Sequence, residues 1–288
     1  MSDFHGLPTA VLENKHLRLE YLTSAGPRIV GLSLHGSPNL LADVHDIAWD
    51  TPNGVYNPLG GHRLWISPEA PESTYTPDGS GLVVQEFKGG VELLWTGSEI
   101  SKKVRIELEA ENPIVQLVHT ITNISKRKLK LAPWVITMFR LGGSVILPQP
   151  VGNTDPHGLL PNRLLVLWPY TRFHDPRLEW RDDFILVHAE ASLPPAKLGY
   201  ASKADWMAYW LDGIVFRKRF DLHAGAAYPD GGCNAETYCG DRFVELETLG
   251  PLGELAPGQR TRLTEIWELN SGLDVAFIPE GIRELLQK

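Results

Sequence analysis

The sequence predicts an all-β protein built from antiparallel sheets as a sandwich or barrel. Short runs that alternate apolar and polar residues recur along the chain, and this period of two belongs to half-buried strands. The 22 prolines and 27 glycines in 288 residues cut the chain into pieces too short for most helices. Only the tail, "PEGIRELLQK" over 279–288, reads as a helix, with proline near its start. Many short strands joined by turns make a sandwich or barrel the best class.

The strands follow in order. "HLRLEYL" (16–22) sets Leu17, Leu19 and Tyr21 against Arg18 and Glu20. "RIVGLSL" (28–34), "GLVVQEF" (81–87) and "VELLWTG" (91–97) continue the pattern. "KKVRIELEAE" (102–111) places Val104, Ile106 and Leu108 opposite Arg105, Glu107 and Glu109. Asn112-Pro113 then reads as the turn into "IVQLVHTITN" (114–123), where His119 reads as a partly buried structural histidine. Further strands are expected at "KLKLAPWVITMF", "RLLVLWPY", "FILVHAE", "GIVFRKRF", "RFVELETL" and "RTRLTEIWEL". The segment from about 44 to 80 reads as a long loop, and its aromatic content argues against disorder. No linker or internal repeat interrupts the pattern, so one domain over 1–288 is expected.

Composition narrows the function. A net charge of −8 argues against nucleic-acid and basic membrane-surface partners. The N-terminal stretch lacks a basic region followed by an apolar one, and no apolar run approaches a membrane span, so a cytoplasmic location is expected. The two cysteines, Cys233 and Cys239, form neither a disulfide framework nor a four-ligand zinc site. They read as reduced thiols, with a local bridge as the alternative. The sequence has no H-E-x-x-H, phosphate loop, nucleophile elbow or cofactor fingerprint, so no metal and no cofactor are expected.

"RFVELETLGP" (242–251) places Phe243, Glu245, Glu247 and Leu249 on one strand face and Val244, Leu246 and Thr248 on the other. The two carboxylates are then about 7 Å apart by strand rise. They form either a solvated face, paired with arginines such as Arg242, Arg260 or Arg262, or part of a site.

Three stretches, 12–43, 118–137 and 244–269, follow one another in an order that resembles the galactose mutarotase-like, or aldose 1-epimerase-like, group. With "GGHRLWISPE" (60–69), the third stretch resembles an uncharacterised bacterial branch of that group. The resemblance spans roughly residues 12 to 270. It implies a twisted antiparallel β-supersandwich with a carbohydrate groove on the concave sheet. In the family, a glutamate near the C-terminus takes the anomeric proton and a histidine protonates the ring oxygen. "VELET" (244–248) matches the glutamate motif, with Glu247 in the glutamate position and Glu245 in place of the family's small neighbour. The strand expected to carry the histidine reads "LAPWVIT", with Trp134 or its neighbours at that place. The base matches the family pattern and the acid departs from it.

Under this resemblance Glu247 is the expected base. His62 is the nearest candidate acid, a residue whose ordinary pKa suits the role. On the residues alone, His62 reads equally as an exposed loop histidine. Gly60-Gly61 before it permits close backbone approach or positive φ. Arg63 and Trp65 offer a hydrogen-bonding fork and an apolar ring for a sugar. Their alternative is Trp65 in the core and Arg63 bridged to Glu69 or Glu72. Trp134, Trp168, Tyr170, Tyr228 and Tyr238 are candidate sugar-contacting faces, although core packing uses such side chains too. Arg217, Lys218 and Arg219, with Lys197 and Lys203, form a basic cluster that reads as a solvated face or a site for an anionic sugar. Three functions follow: a sugar epimerase, a carbohydrate-binding protein without catalysis, and, ranked below both, a glycosidase using its paired carboxylates. The expected partner is a carbohydrate, and the chain is expected to be a monomer or a homodimer.

Overall fold

The computed structural model describes residues 2–272 together with 281–282. Two antiparallel sheets face each other. The first has eleven strands. Its main path runs Ser2–Phe4, Leu7–Glu13, Leu17–Leu22, Arg28–Leu34, His62–Ser67, Leu129–Phe139, Val244–Leu249, Ala235–Cys239, Ala196–Tyr200 and Leu165–Leu167. Gly253–Leu255 also pairs with Leu129–Phe139. The second sheet has ten strands, ordered Val83–Phe87, Gly90–Thr96, Ile100–Leu108, Ile114–Asn123, Arg260–Ser271, Ile214–Phe220, Trp206–Leu211, Ser144–Pro148, Phe184–His188 and Leu178–Trp180.

The inward faces share one core. Leu19, Leu64, Val135, Phe139, Val244 and Leu246 of the first sheet join Leu93, Ile106, Leu117, Leu263 and Trp267 of the second. Burial of these apolar faces is what drives the two sheets together. The outward face of the second sheet has a smaller cluster of Ile146, Phe184, Leu186, Trp206 and Val215, and Ile282 packs there. The helix expected over 279–288 lies outside the described residues except for Gly281 and Ile282, which are helical. No described helix is long and apolar enough to cross a membrane. Cys233 and Cys239 are both free and buried.

The expected loop over 44–80 needs a correction. It contains His62–Ser67, a central strand of the larger sheet, and a small hairpin of Trp49–Thr51 with Gly54–Tyr56. All six residues of His62–Ser67 are buried, so the strand shows none of the alternation that marks half-exposed strands. Two glycines set its entry. Gly60 and Gly61 have φ of 95° and 62°. A Cβ at either would lie 2.2 Å from the Ala42 carbonyl oxygen or 2.0 Å from that of Ile29.

Candidate functional site

Val244–Leu249 runs in the middle of the larger sheet. Val244 and Leu246 enter the inter-sheet core, so Glu245, Glu247 and Leu249 point to the opposite, outward face. That face is covered. Leu249 packs with Trp65, Trp134, Ile136 and Met138, and Trp49 and Tyr75 close over them from the 44–80 segment. Trp65 meets Tyr75 and Trp134 with ring centroids 5.1 and 5.2 Å apart. The indole of Trp65 donates to the Tyr56 hydroxyl at 2.7 Å, which Arg28 also reaches at 2.9 Å. Arg28 in turn pairs with Asp78 at 3.0 Å, fixing the far end of the segment.

Strand register brings the charged groups together. Glu236 lies opposite Glu247, and Tyr238 lies opposite Glu245 and Lys197. The Lys197 ammonium sits 2.9 Å from Glu247 Oε2 and 3.0 Å from Glu236 Oε2. It also lies 4.7 Å from the Trp134 ring centre and 4.6 Å from that of Trp168, a cation–π contact on each side. Trp134 Nε1 donates to Glu247 Oε2 at 2.7 Å. Arg63 donates to Glu245 Oε1 at 2.9 Å and to Met138 Sδ at 2.7 Å, and its guanidinium lies 4.1 Å from the Trp65 ring centre.

Glu247 and Glu236 are fully buried, while Lys197 and Glu245 are 5% and 7% exposed. Burial alone would lower the Lys197 pKa, but Glu247 and Glu236 outweigh it and hold it well above its ordinary range. Burial lifts Glu236 well above the carboxylate range, with Lys197 opposing and Glu247 reinforcing. Burial also lifts Glu245 to about 7, offset in part by Arg63 and reinforced by Glu247. Glu247 Oε1 and Glu236 Oε1 are buried without a hydrogen-bond donor from the protein, and Glu236 Oε2 has only the Lys197 ammonium beside it. Such atoms are costly unless something supplies one. The rim includes the half-buried Trp168, Tyr238 and Tyr75 and the exposed Tyr170. Burial raises the Tyr170 hydroxyl, with Lys197 and Glu247 among its charged neighbours, and burial lifts Tyr238 to about 12, with Glu245 adding to it. Tyr75 donates to Glu69.

Arg63, Trp65, Trp134, Trp168, Tyr170, Tyr238 and Glu245 thus gather around Glu247. Two expected residues do not. Tyr228 accepts the His223 amide at 3.1 Å in a separate turn. His62 is on the wrong face. It alternates with Arg63 on one strand, points between the sheets, and bonds to Thr137 at 2.9 Å and His119 at 2.8 Å. It is 1% exposed, and burial beside His119 and Lys218 holds its pKa well below the usual histidine value. His119 is a structural histidine as its strand suggested, but it is fully rather than partly buried. The basic cluster also divides. Lys218 is buried between the sheets, whereas Arg217 and Arg219 pair with Glu268. Sequence reasoning missed Glu236 and read Lys197 only as part of a basic cluster, a solvated face or a site for an anionic sugar, rather than as the partner of Glu247. Both lie on five-residue strands, and the alternation of Glu236 and Tyr238 against Ala235, Thr237 and Cys239 was the available signal.

Two cavities of about 550 and 560 Å³ lie elsewhere, one at Ser67, Trp95, Lys102 and Lys130, the other at His5, Leu7, His45 and Asp78. Neither includes Glu247 or Lys197.

No family model matches the chain, and no curated protein matches it. Solved structures do. A galactose mutarotase-like protein from Lactobacillus casei aligns over 91% of this chain and 100% of its own, with a TM-score of 0.55 at 10% identity. A "putative aldose 1-epimerase" from Klebsiella pneumoniae aligns over 100% of this chain and 85% of its own, with a TM-score of 0.60 at 10% identity. Another from Escherichia coli aligns over 92% and 100%, with a TM-score of 0.53 at 14% identity. The fold is galactose mutarotase-like. Within this fold, the Glu247 strand lies next to Leu129–Phe139 near the middle of the larger sheet. The outward faces of both strands carry the buried acidic and aromatic cluster.

Proposed function

We propose that the outward face around Glu247 is a carbohydrate site and that the chain is an aldose 1-epimerase-type isomerase, interconverting sugar anomers by proton transfer. One observation carries this reading. Glu247 is a fully buried carboxylate with one oxygen held by Lys197 and Trp134 and the other without a protein donor. A sugar hydroxyl is the kind of donor that oxygen lacks.

Lys197 and Trp134 occupy Oε2 of Glu247, so Oε1 is the oxygen left to accept the anomeric hydroxyl proton. As that proton leaves, the bond between the anomeric carbon and the ring oxygen breaks, and the ring oxygen needs a proton. Glu245, lifted to about 7 and about 7 Å along the strand, is the candidate donor through Oε2. Rotation about the bond from the anomeric carbon to its carbon neighbour and reclosure return both protons and give the other anomer. No electrons are transferred. Trp168, Tyr170 and Tyr238 at the rim supply ring faces for the sugar. Entry requires rim side chains to move, because Glu247 has no exposed surface.

A second reading, carbohydrate binding without catalysis, rests on the same face. Among the described residues no histidine bonds to Glu247, Glu245, Glu236 or Lys197, which removes the acid that the family resemblance implied. Saturation-transfer NMR with reducing sugars and sugar acids separates the two. The isomerase reading expects faster exchange between α and β anomers of one sugar, lost in Glu247→Gln. Binding without exchange supports the second reading. Neither signal, or full exchange in Glu247→Gln, overturns the role given to Glu247.

A further inference from the structure

A second group of polar side chains lies at the edge of the larger sheet, away from Glu247. The hairpin joining Ser2–Phe4 to Leu7–Glu13 turns at His5-Gly6, with φ of 50° and 85°. A two-residue turn with both φ positive usually carries Asn-Gly or Asp-Gly. Here the first place holds an imidazole. His5 Nε2 is 2.6 Å from Asp43 Oδ2, and His45 Nδ1 is 2.8 Å from Asp43 Oδ1. The two imidazoles stack with centroids 3.4 Å apart and planes within 12°. One ligand atom from each of the three residues lies within 4.8 Å of the others. All three side chains are 41–42% exposed, so water can complete a coordination shell.

We propose that His5, Asp43 and His45 form a binding site for a divalent transition-metal ion, with Zn²⁺, Cu²⁺, Ni²⁺ and Co²⁺ as the fitting class. Two imidazole nitrogens and one carboxylate suit these ions, whereas Mg²⁺ and Ca²⁺ prefer all-oxygen shells. The sequence distance between the ligands gives the site a structural consequence. His5 belongs to the N-terminal hairpin, while Asp43 belongs to the short strand Asp43–Val44 that pairs with Leu59–Gly60, just before His62–Ser67. A bound ion ties the hairpin to the segment that supplies Arg63, Trp65 and Tyr75. The adjoining cavity of about 560 Å³, lined in part by His5 and His45, leaves room for a small ligand on an open coordination position.

His62, His119 and Glu265 form a second converging set, but they do not suit a cation. Thr248 and Trp267 take the two Glu265 oxygens, and the Lys218 ammonium already sits 3.0 Å from one of them. An added cation would face that ammonium.

Calorimetric titration with ZnCl₂ and visible spectroscopy with CoCl₂ test the site. The expected result is one ion per chain, a Co²⁺ spectrum with imidazole ligation, and a Zn²⁺-dependent rise in melting temperature. His5→Ala and His45→Ala should each weaken binding at least about 10- to 100-fold, the loss that even a second-shell change brings. His157→Ala, His223→Ala and Glu247→Gln should retain it. Circular dichroism checks that the ligand variants fold, which their surface position favours. No binding, or equal binding in His5→Ala and His45→Ala, overturns the proposal.

Discussion

Glu247 and Thr248 are adjacent in one strand, yet they belong to different polar clusters on opposite faces of the sheet. Between the sheets, Thr248 and Trp267 donate to Glu265, and Lys218 pairs with it at 3.0 Å while donating to the Leu246 carbonyl at 3.1 Å. Beside them, His119 Nδ1 faces the Leu263 carbonyl at 3.1 Å. A carbonyl only accepts, so Nδ1 carries the hydrogen, and a neutral His119 must accept at Nε2. The chain then runs in one direction, Thr137 to His62 to His119 to Leu263. The Lys218, Glu265, His62 and His119 side chains have no orphaned polar atoms. On the outward face, Glu247, Glu236 and Arg63 do have them. The contrast is instructive: a satisfied buried network fixes a structure, whereas an unsatisfied one has capacity for a ligand.

Four measurements break or sharpen this contrast. Glu247→Gln should lower anomer exchange by about 10²- to 10⁴-fold, the usual contribution of a general base. Its melting temperature should fall little, since the amide keeps the size of the side chain. The interior behaves in the opposite way. Lys218→Met should cost about 3–5 kcal/mol in urea unfolding, because Glu265 is left as an unpaired buried charge. A loss under ~1 kcal/mol would put the interior pair in the range of surface ion pairs and erase the distinction. Trp134→Phe removes one donor from Glu247 and should weaken transition-state binding by about 1–3 kcal/mol in kcat/KM.

The smallest effect is a pH slope, and the two clusters should give opposite signs. Glu245 has its pKa raised from 4.5 to about 7, so the folded chain binds more protons than the unfolded chain between those values. Its contribution to stability is therefore full below pH 4.5 and is lost as pH rises to about 7. His62 is depressed from 6.5, so its contribution is full above pH 6.5 and falls as pH drops below it. Unfolding free energy measured against pH should lose the first slope in Glu245→Gln and the second in His62→Gln. Unchanged slopes in both variants would contradict the burial that separates these groups from water.

The legibility of these clusters in the sequence follows from the range of the contacts. Glu245 and Glu247 were found together because strand alternation is a local rule. The same rule set His62 apart from Arg63, but only if 62–67 is recognised as a strand. Burial on both faces hid it, because the alternating pattern vanishes when neither side meets solvent. Ala196–Tyr200 and Ala235–Cys239 were missed for a different reason: buried Lys197 and Gly199 in one and buried Glu236 and Thr237 in the other break the run of apolar residues that marked equally short strands such as Phe184–His188. The family resemblance anticipated the fold class, and the structural neighbours bear it out.

The sequence by itself determined a β-rich chain and a strand with two carboxylates on one face, because both follow from spacing within a few residues. Tertiary structure decided which face meets the opposite sheet and which meets the aromatic cover. It also decided the partners. Lys197 reaches Glu247 across 50 residues of chain, and Arg63 reaches Glu245 across 182. Local periodicity specifies how side chains alternate along a strand. Which strands become neighbours is set by the packing of the whole core, and that packing places Arg63, Lys197 and Glu236 beside Glu247 and His62 behind it.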